Sequence, residues 1–145
     1  MRRIPVEVAI EIAQARAVLE GVLARRAAEI ATADERAELR NVIDDMERAV
    51  DGADQSAYSE LNRVLHRRIR EISGHSIASE LVANLRHRGA HQEFQLSLQP
   101  GRSTVSLPQH REIVDAIVAG DGAAAERAMH THLGSVEDAL RNWID

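Results

Sequence analysis

The chain has seven histidines and no cysteine, so imidazoles are its strongest ligands for a transition metal. His66, His110 and His132 each share helical spacing with apolar residues, which predicts that they face a protein interior. Asn62 lies four residues before His66 on the same helix face, where its amide oxygen could add a fourth donor. A buried imidazole without a partner costs about 1–3 kcal/mol. A shared divalent metal would satisfy all three rings, and a separate local hydrogen bond to each ring would do the same.

The other four histidines do not follow this pattern. His87 and His91 form a second pair four residues apart, but His87 lies opposite the apolar face of its helix. We interpret that pair as a surface feature. His130 falls outside the apolar pattern and is predicted to be exposed. His75 follows a helix break, where a role in the turn is expected.

The elements that must position these residues are helices. Apolar residues recur at intervals of three and four through nearly the whole chain, and no alternating strand pattern competes with them. Amphipathic helices with short connections predict an all-α antiparallel bundle of about six helices. The inner stripe of the first helix is predicted to contain Val8, Ile12, Ala15, Leu19, Val22 and Leu23.

Local signals give approximate helix boundaries. Thr32 and Glu35 have the spacing of a capping box for the second helix, and Ser76 is expected to cap the fourth. The prolines at positions 100 and 108 predict one substantial loop at residues 97–108. The predicted helices cover about residues 5–30, 32–50, 54–73, 76–96, 110–120 and 123–143.

The composition excludes several classes of protein. A net charge of -5 argues against a broad nucleic-acid-binding surface, and one Phe, one Trp and one Tyr give no platform for stacking bases. No apolar run approaches the roughly 20 residues of a membrane span. The absence of cysteine fits a reducing interior, so a cytoplasmic location is expected. The length fits one domain, residues 1–145.

The sequence contains no recognisable catalytic constellation. It has no thiol nucleophile, no G-x-S-x-G elbow, no H-E-x-x-H motif and no glycine-rich phosphate loop. No carboxylate has a sequence position that would make it a general base near the three histidines. We therefore expect that the protein is not an enzyme.

One series of residues carries a family resemblance. It consists of Asn62-x-x-Leu65-His66, Gly74, His110-x-x-Ile113-x-x-Ala116-Ile117-x-x-Gly120-Asp121, Ala125, Met129 and His132-Leu133, preceded by Arg16-x-x-Leu19-Glu20. The series resembles the C-terminal ligand-binding domain, called FCD, of the FadR subfamily of GntR-type transcription regulators. The short helical length is more similar to the VanR-type branch. The resemblance covers essentially the whole chain.

The resemblance implies a metal site with four ligands. Asn62 and His66 match a D-x-x-F-H element of the family, and His110 and His132 match its two later metal histidines. Asn62 replaces the more usual Asp, which removes one negative charge and is expected to weaken or retune metal affinity. Leu65 replaces Phe, which changes packing but not ligation. The expected cofactor is a divalent ion, with zinc as the first choice and nickel or manganese as alternatives.

The resemblance also implies a function. In such domains the metal faces an interior cavity for a small organic acid effector, whose carboxylate is expected to meet Arg16 and Arg102. The implied role is metal-dependent sensing of that acid by a homodimer that controls DNA binding through a winged helix-turn-helix domain. These 145 residues encode no such domain, so we expect either a fragment of a regulator or a stand-alone ligand-binding protein. Two alternatives stay open: a metal-dependent enzyme acting on a small organic acid, and a metal-free structural bundle that dimerises.

Overall fold

A computed structural model describes residues 3–143, which form seven α-helices and no β-strand. The predicted all-α bundle is therefore confirmed, with one helix more than the six predicted. No helix among these residues combines the length and apolar character needed to cross a membrane. The helices are α1 (Val6–Ile30), α2 (Ala33–Asp51), α3 (Gln55–Ser73), α4 (Ser76–Arg88), α5 (Ala90–Ser97), α6 (Arg102–Ala119) and α7 (Gly122–Arg141).

The start of α2 and both ends of α3 follow local sequence signals. The Thr32 hydroxyl accepts a hydrogen bond from the Glu35 backbone N–H at 3.1 Å, and the Glu35 carboxylate accepts one from the Thr32 N–H at 2.9 Å. The predicted capping box thus starts α2. Asp54 caps α3 through the same kind of contact. Gly74 ends α3 in the left-handed region, with φ at 64°, which glycine adopts without a steric penalty.

Two predictions about the fourth helix are wrong. The N-cap of α4 is His75 and not Ser76, because the His75 Nδ1 atom accepts a hydrogen bond from the Ala78 N–H at 3.1 Å. An imidazole nitrogen with a lone pair can take the capping role of a hydroxyl or carboxylate oxygen. The helix also ends at Arg88 rather than near residue 96, and Gly89 separates it from the short helix α5.

The predicted loop at residues 97–108 is also wrong for most of its length. Only residues 98–101 connect α5 to α6, and Gly101 adopts a φ of 81° in that turn. Pro108 lies inside α6. A proline in a helix interior costs on the order of 3 kcal/mol because it removes a donor and clashes with the preceding turn. The helix continues through it because Ser106 and His110, on either side, are buried in the bundle, and tertiary packing decides helix stability more than propensity does.

The buried face of α1 is rotated relative to the predicted stripe. Ala15 is exposed, and Leu19 is only half-buried. Arg16 and Glu20 are buried instead, with 6% and 2% of their surface exposed. A charged pair in the buried stripe of an alanine-rich helix is invisible to a search for apolar periodicity. As a result, α1 carries two opposite charges into the bundle.

The main apolar core lies between α1, α2, α3, α6 and α7. Leu39, Leu65, Ile113 and Met129 are among its members, each with at most 1% exposed. A smaller cluster joins α1, α5 and α7 through Ala9, Ala13, Leu96 and Leu140. The members of this smaller cluster also line a pocket that contains the three interior histidines. The histidines therefore lie between the two apolar clusters.

Candidate metal centre and ligand pocket

Three helices bring three imidazoles together. His66 of α3, His110 of α6 and His132 of α7 are 1%, 1% and 4% exposed. One ring nitrogen from each lies within 4.8 Å of the other two. Within residues 3–143, no other set of three His, Cys, Asp or Glu side chains has this spacing. The His66 Nε2 and His110 Nε2 atoms are 3.2 Å apart. Two nitrogens that bind one zinc ion at about 2.1 Å stand roughly 3–3.5 Å apart, so the spacing suits shared ligation.

Two of the rings donate from Nδ1 to a side-chain oxygen. His66 Nδ1 lies 2.9 Å from Glu20 Oε1, and a carboxylate can only accept. His132 Nδ1 lies 2.8 Å from Gln109 Oε1, which accepts in this orientation of the amide. A neutral ring with its proton on Nδ1 keeps a lone pair on Nε2. Both rings therefore have Nε2 available as a ligand.

The third ring is held by a tyrosine. His110 Nδ1 lies 3.0 Å from the Tyr58 hydroxyl, which lies 2.5 Å from Ser106 Oγ. Burial raises the pKa of Tyr58 to about 12, so the hydroxyl keeps its proton. It can donate that proton to Ser106 while it accepts from His110. With this assignment the Nε2 lone pairs of His110 and His66 face each other, which favours a cation between them. With the proton on His110 Nε2, that ring instead donates to His66 Nε2 and accepts from the Tyr58 hydroxyl.

Burial also keeps the three rings neutral. It lowers the pKa of His110 and of His132 well below the ordinary value. The other imidazoles add to the effect, since a proton on one ring disfavours a proton on the next, and Arg102 adds to it as well. Burial and then Arg86 lower the pKa of His66, although Glu20 opposes that shift. Neutral imidazole is the form that binds a metal ion. The cluster therefore holds its rings in the form that ligation requires.

Asn62 provides a test of whether a metal fits. It lines the same pocket as the three histidines and precedes His66 by one turn of α3. Its Oδ1 atom is buried and has no hydrogen-bond partner among residues 3–143, whereas buried polar atoms nearly always have one. An amide oxygen is a hard donor that suits a divalent ion. One orphaned oxygen and three imidazole nitrogens form a donor set that fits such an ion.

A buried network of opposite charges lies behind His66. Arg16 Nε donates to Glu20 Oε2 at 2.7 Å, and Arg86 Nη1 lies 3.6 Å from the same oxygen. Arg86 Nη2 donates to Glu93 at 2.5 Å. Burial by itself raises the pKa of Glu20, but Arg16, His66 and Arg86 together hold it well below its usual value. Glu20 is thus an ionised carboxylate fixed between an imidazole and two guanidinium groups.

The pocket beside the histidines has a volume of about 60 Å³, several times the roughly 10–15 Å³ that one water molecule needs. Arg16 and Arg102, the two predicted effector contacts, both line it, and so does Arg86. Arg102 donates to Ser135 at 2.9 Å through Nη1. Within the described part of the chain, Arg102 Nη2 and Arg86 Nη1 are buried and have no hydrogen-bond partner. Arg102 Nη2 therefore retains a donor for a ligand, and Arg86 Nη1 has only its 3.6 Å ion pair with Glu20.

Sequence reasoning missed Glu20, a carboxylate that contacts His66 directly. The expectation that no carboxylate acts as a general base beside the histidines stays a prediction. Arg16 and Glu20 are four residues apart and share a helix face, which is the sequence signal that could have located this carboxylate. Tyr58 is buried, with 4% exposed. Its contact with His110 joins two helices that are far apart in sequence, and no local pattern reveals it.

The remaining histidines lie outside the cluster. His87 and His130 are exposed, as predicted. His91 is half-buried, and its Nε2 atom accepts a hydrogen bond from Arg3 at 3.2 Å. His75 caps α4, which agrees with the predicted role in a turn.

Comparison with known proteins identifies the family. The FCD domain family matches residues 11–135 of the chain. The protein belongs to the FCD domain family. This confirms the resemblance read from the histidine pattern, while the VanR-type branch stays a prediction.

Curated relatives of this FCD domain are transcription regulators. The HTH-type transcriptional repressor RspR of Escherichia coli (strain K12) is 25% identical over 126 residues, which make up 87% of this chain and 55% of the repressor. The uncharacterized HTH-type transcriptional regulator YdfH of Shigella flexneri matches to the same extent. The chain thus spans about half the length of these relatives. Both are named as transcriptional regulators, which supports the predicted non-enzymatic role.

Solved structures share the fold of this FCD domain. Streptococcus agalactiae GntR superposes with a TM-score of 0.75 at 26% identity, over 91% of this chain and 59% of that one. E. coli McbR/YncC superposes with a TM-score of 0.81 at 20% identity, over 90% of this chain and 66% of that one. The second likeness shows the fold alone. Together with the family match, the first confirms the predicted relation to GntR-type regulators.

Proposed function

We propose that this FCD domain is the metal-dependent sensor of a small organic acid in a GntR-type transcription regulator. One observation carries the proposal: three neutral imidazoles and an orphaned amide oxygen converge on one pocket. In this proposal the domain acts as a homodimer in the cytoplasm. It controls DNA binding by a winged helix-turn-helix domain, as the relation to HTH-type regulators suggests.

Four side chains would hold the ion. His66, His110 and His132 would ligate through Nε2, and Asn62 through Oδ1. Three nitrogens and one neutral oxygen suit zinc first, with nickel or manganese as alternatives. When bound, the ion supplies a Lewis-acidic centre for a carboxylate oxygen of the effector.

The side chains of the pocket favour an anionic effector. Arg102 Nη2 and Arg86 Nη1 have no hydrogen-bond partner among residues 3–143, and the guanidinium fork matches the geometry of a carboxylate. Arg16 is already bonded to Glu20, so its role is to neutralise that carboxylate and to add positive charge near the ligand. We therefore expect Arg102 and Arg86 to make the direct contacts with the acid.

A ligand in this pocket touches most of the bundle. The lining residues come from α1, α3, α4, α5, α6 and α7. An effector shifts an equilibrium between two arrangements of these helices only by its difference in affinity for them. Such a difference in affinity arises if Arg86 of α4 and Arg102 of α6 reach the same anion in one arrangement but not in the other. In a dimer, the resulting movement changes the spacing of two DNA-reading heads.

Metal content tests the proposal. Wild-type protein, His110→Ala and His132→Ala are loaded with zinc, dialysed and measured by mass spectrometry. The matched control is His87→Ala, because His87 is exposed and lies outside the cluster. We expect close to one zinc per chain in the wild type and the control, and close to none in the two cluster variants. Equal and negligible zinc in all four proteins contradicts the proposal.

Two further measurements separate the alternatives. Turnover of small organic acids by the zinc-loaded protein indicates an enzyme. A melting temperature that changes neither with EDTA nor with small carboxylates indicates a structural bundle whose histidines are satisfied locally. The proposal of a sensor is supported if zinc and a small carboxylate each raise the melting temperature and no turnover is detected.

A further inference from the structure

We infer that Glu20 is a positioning residue for the metal site, one that sets metal affinity by fixing the tautomer and orientation of His66 without touching the ion. The inference rests on the metal site proposed above. It starts from one contact: Glu20 Oε1 lies 2.9 Å from His66 Nδ1, and the two side chains are 2% and 1% exposed. Water does not compete for a contact buried to that extent.

The carboxylate selects one of the two neutral forms of His66. In the Nδ1–H form the ring donates to Glu20 and keeps its lone pair on Nε2. In the Nε2–H form the Nδ1 lone pair faces a negatively charged oxygen, which is repulsive, and the proton on Nε2 occupies the ligand position. With that proton, His66 Nε2 would donate to His110 Nε2, 3.2 Å away, and the hydrogen bond would keep both nitrogens from ligating an ion. Glu20 therefore favours the form in which His66 can ligate.

The two oxygens of Glu20 have separate partners. Oε1 accepts from His66, while Oε2 accepts from Arg16 at 2.7 Å and lies 3.6 Å from Arg86. This division fixes the rotation of the carboxylate, and the guanidinium groups offset its charge. A metal-ligating histidine generally donates its second N–H to such a partner, which orients the ring and raises its basicity as a ligand.

Glu20 differs from the groups that hold the other two rings. Tyr58 contacts His110 and Gln109 contacts His132, and both are neutral. Of the three Nδ1 partners, Glu20 alone carries a charge. We therefore expect its replacement to change metal affinity more than replacement of either neutral partner.

The test compares Glu20→Gln with Glu93→Gln. Both substitutions neutralise a carboxylate of the same charge network, but Glu93 bonds to Arg86 and not to a histidine of the cluster. Zinc affinity is measured by competition with a chelator at fixed pH. Long-range ¹⁵N–¹H NMR of the zinc-free protein reports the tautomer of His66. We expect zinc binding that is about 10–100-fold weaker in Glu20→Gln, with loss of the uniform Nδ1–H signature, and less than about a threefold change in Glu93→Gln.

A second variant guards against misfolding. Glu20→Gln leaves the buried Arg16 without its counter-charge; the one remaining side-chain oxygen is drawn to Arg16, so the NH2 group faces His66 Nδ1. The double variant Arg16→Met, Glu20→Leu removes both charges of the pair and every acceptor at position 20. The inference predicts the same loss of affinity and of tautomer signature in both variants. Wild-type affinity with an unchanged tautomer in either variant overturns it. If the wild-type protein binds no zinc, the proposed function fails. The inference about Glu20 is overturned separately if the tautomer of His66 is the same with and without the Glu20 carboxylate.

Discussion

The two sides of the histidine cluster differ in their content of buried polar atoms without hydrogen-bond partners. On one side is the main apolar core, where Leu65, Ile113 and Met129 are at most 1% exposed. On the other side is the pocket, where Asn62 Oδ1 and Arg86 Nη1 are buried and lack hydrogen-bond partners within residues 3–143. A buried polar atom that finds no partner costs about 1–3 kcal/mol, and a ligand that bonds to it removes that cost. The core therefore stabilises the fold, whereas the unpaired polar atoms of the pocket lower its stability until a ligand bonds to them.

Helix α3 passes through both regions and allows a direct comparison. Leu65 faces the core, while Asn62, one turn earlier, faces the pocket. The largest effect is expected for Leu65→Ala, which should lower the free energy of unfolding by about 2–5 kcal/mol because it leaves a cavity. Asn62→Ala removes an unsatisfied oxygen but also removes packing contacts of the side chain. The two effects oppose each other, so we expect a net change within about 1 kcal/mol. Urea denaturation in EDTA measures both, and equal losses would remove the distinction between the two regions.

Tyr58 belongs to the core and also lines the pocket, so it tests the boundary between them. Tyr58→Phe keeps the ring but removes the hydroxyl that contacts His110 and Ser106. We expect a loss of about 1–3 kcal/mol in unfolding free energy, because His110 Nδ1 is left buried without a partner. Thermal and urea unfolding of the zinc-free protein give the value. Wild-type stability would indicate that the hydroxyl does not hold the ring.

The substitution Asn62→Asp tests whether position 62, on the pocket side, is a zinc ligand. A carboxylate oxygen adds a negative charge to the proposed ligand set, so we expect zinc affinity to rise about tenfold, or about 1.4 kcal/mol. The zinc-free protein should become less stable, because the new charge is buried beside three neutral rings. Chelator competition and urea denaturation measure the two effects. Weaker zinc binding by Asn62→Asp would show that position 62 is not a ligand.

The smallest effects are expected at the histidines outside both regions. His87→Ala and His130→Ala replace exposed side chains that contribute no atom to the cluster. We expect each to change the free energy of unfolding by less than about 0.5 kcal/mol and to leave zinc affinity unchanged. A large loss of zinc binding in either variant would place the metal site elsewhere.

Sequence periodicity was sufficient for the all-α architecture and for the inward direction of the three interior histidines, but not for the ends of every helix. His66, His110 and His132 each lie on an apolar stripe, and burial of a stripe carries every residue on it inward. Periodicity failed on α1, where Arg16 and Glu20 lie on the buried face although their side chains are charged. It failed again at Pro108, because the packing that maintains α6 through a proline comes from other helices. Contacts between helices have no period in the sequence, which is why Glu20 was missed as a partner of His66.

The central claim is that Asn62, His66, His110 and His132 share one divalent ion. Diffraction from zinc-soaked crystals at the zinc absorption edge tests it most directly. We expect one anomalous peak between α3, α6 and α7, bonded to the three Nε2 atoms and to Asn62 Oδ1 at about 2.0–2.2 Å. The claim is contradicted if the peak lies elsewhere, or if there is no peak and the His66 and His110 rings bond to each other.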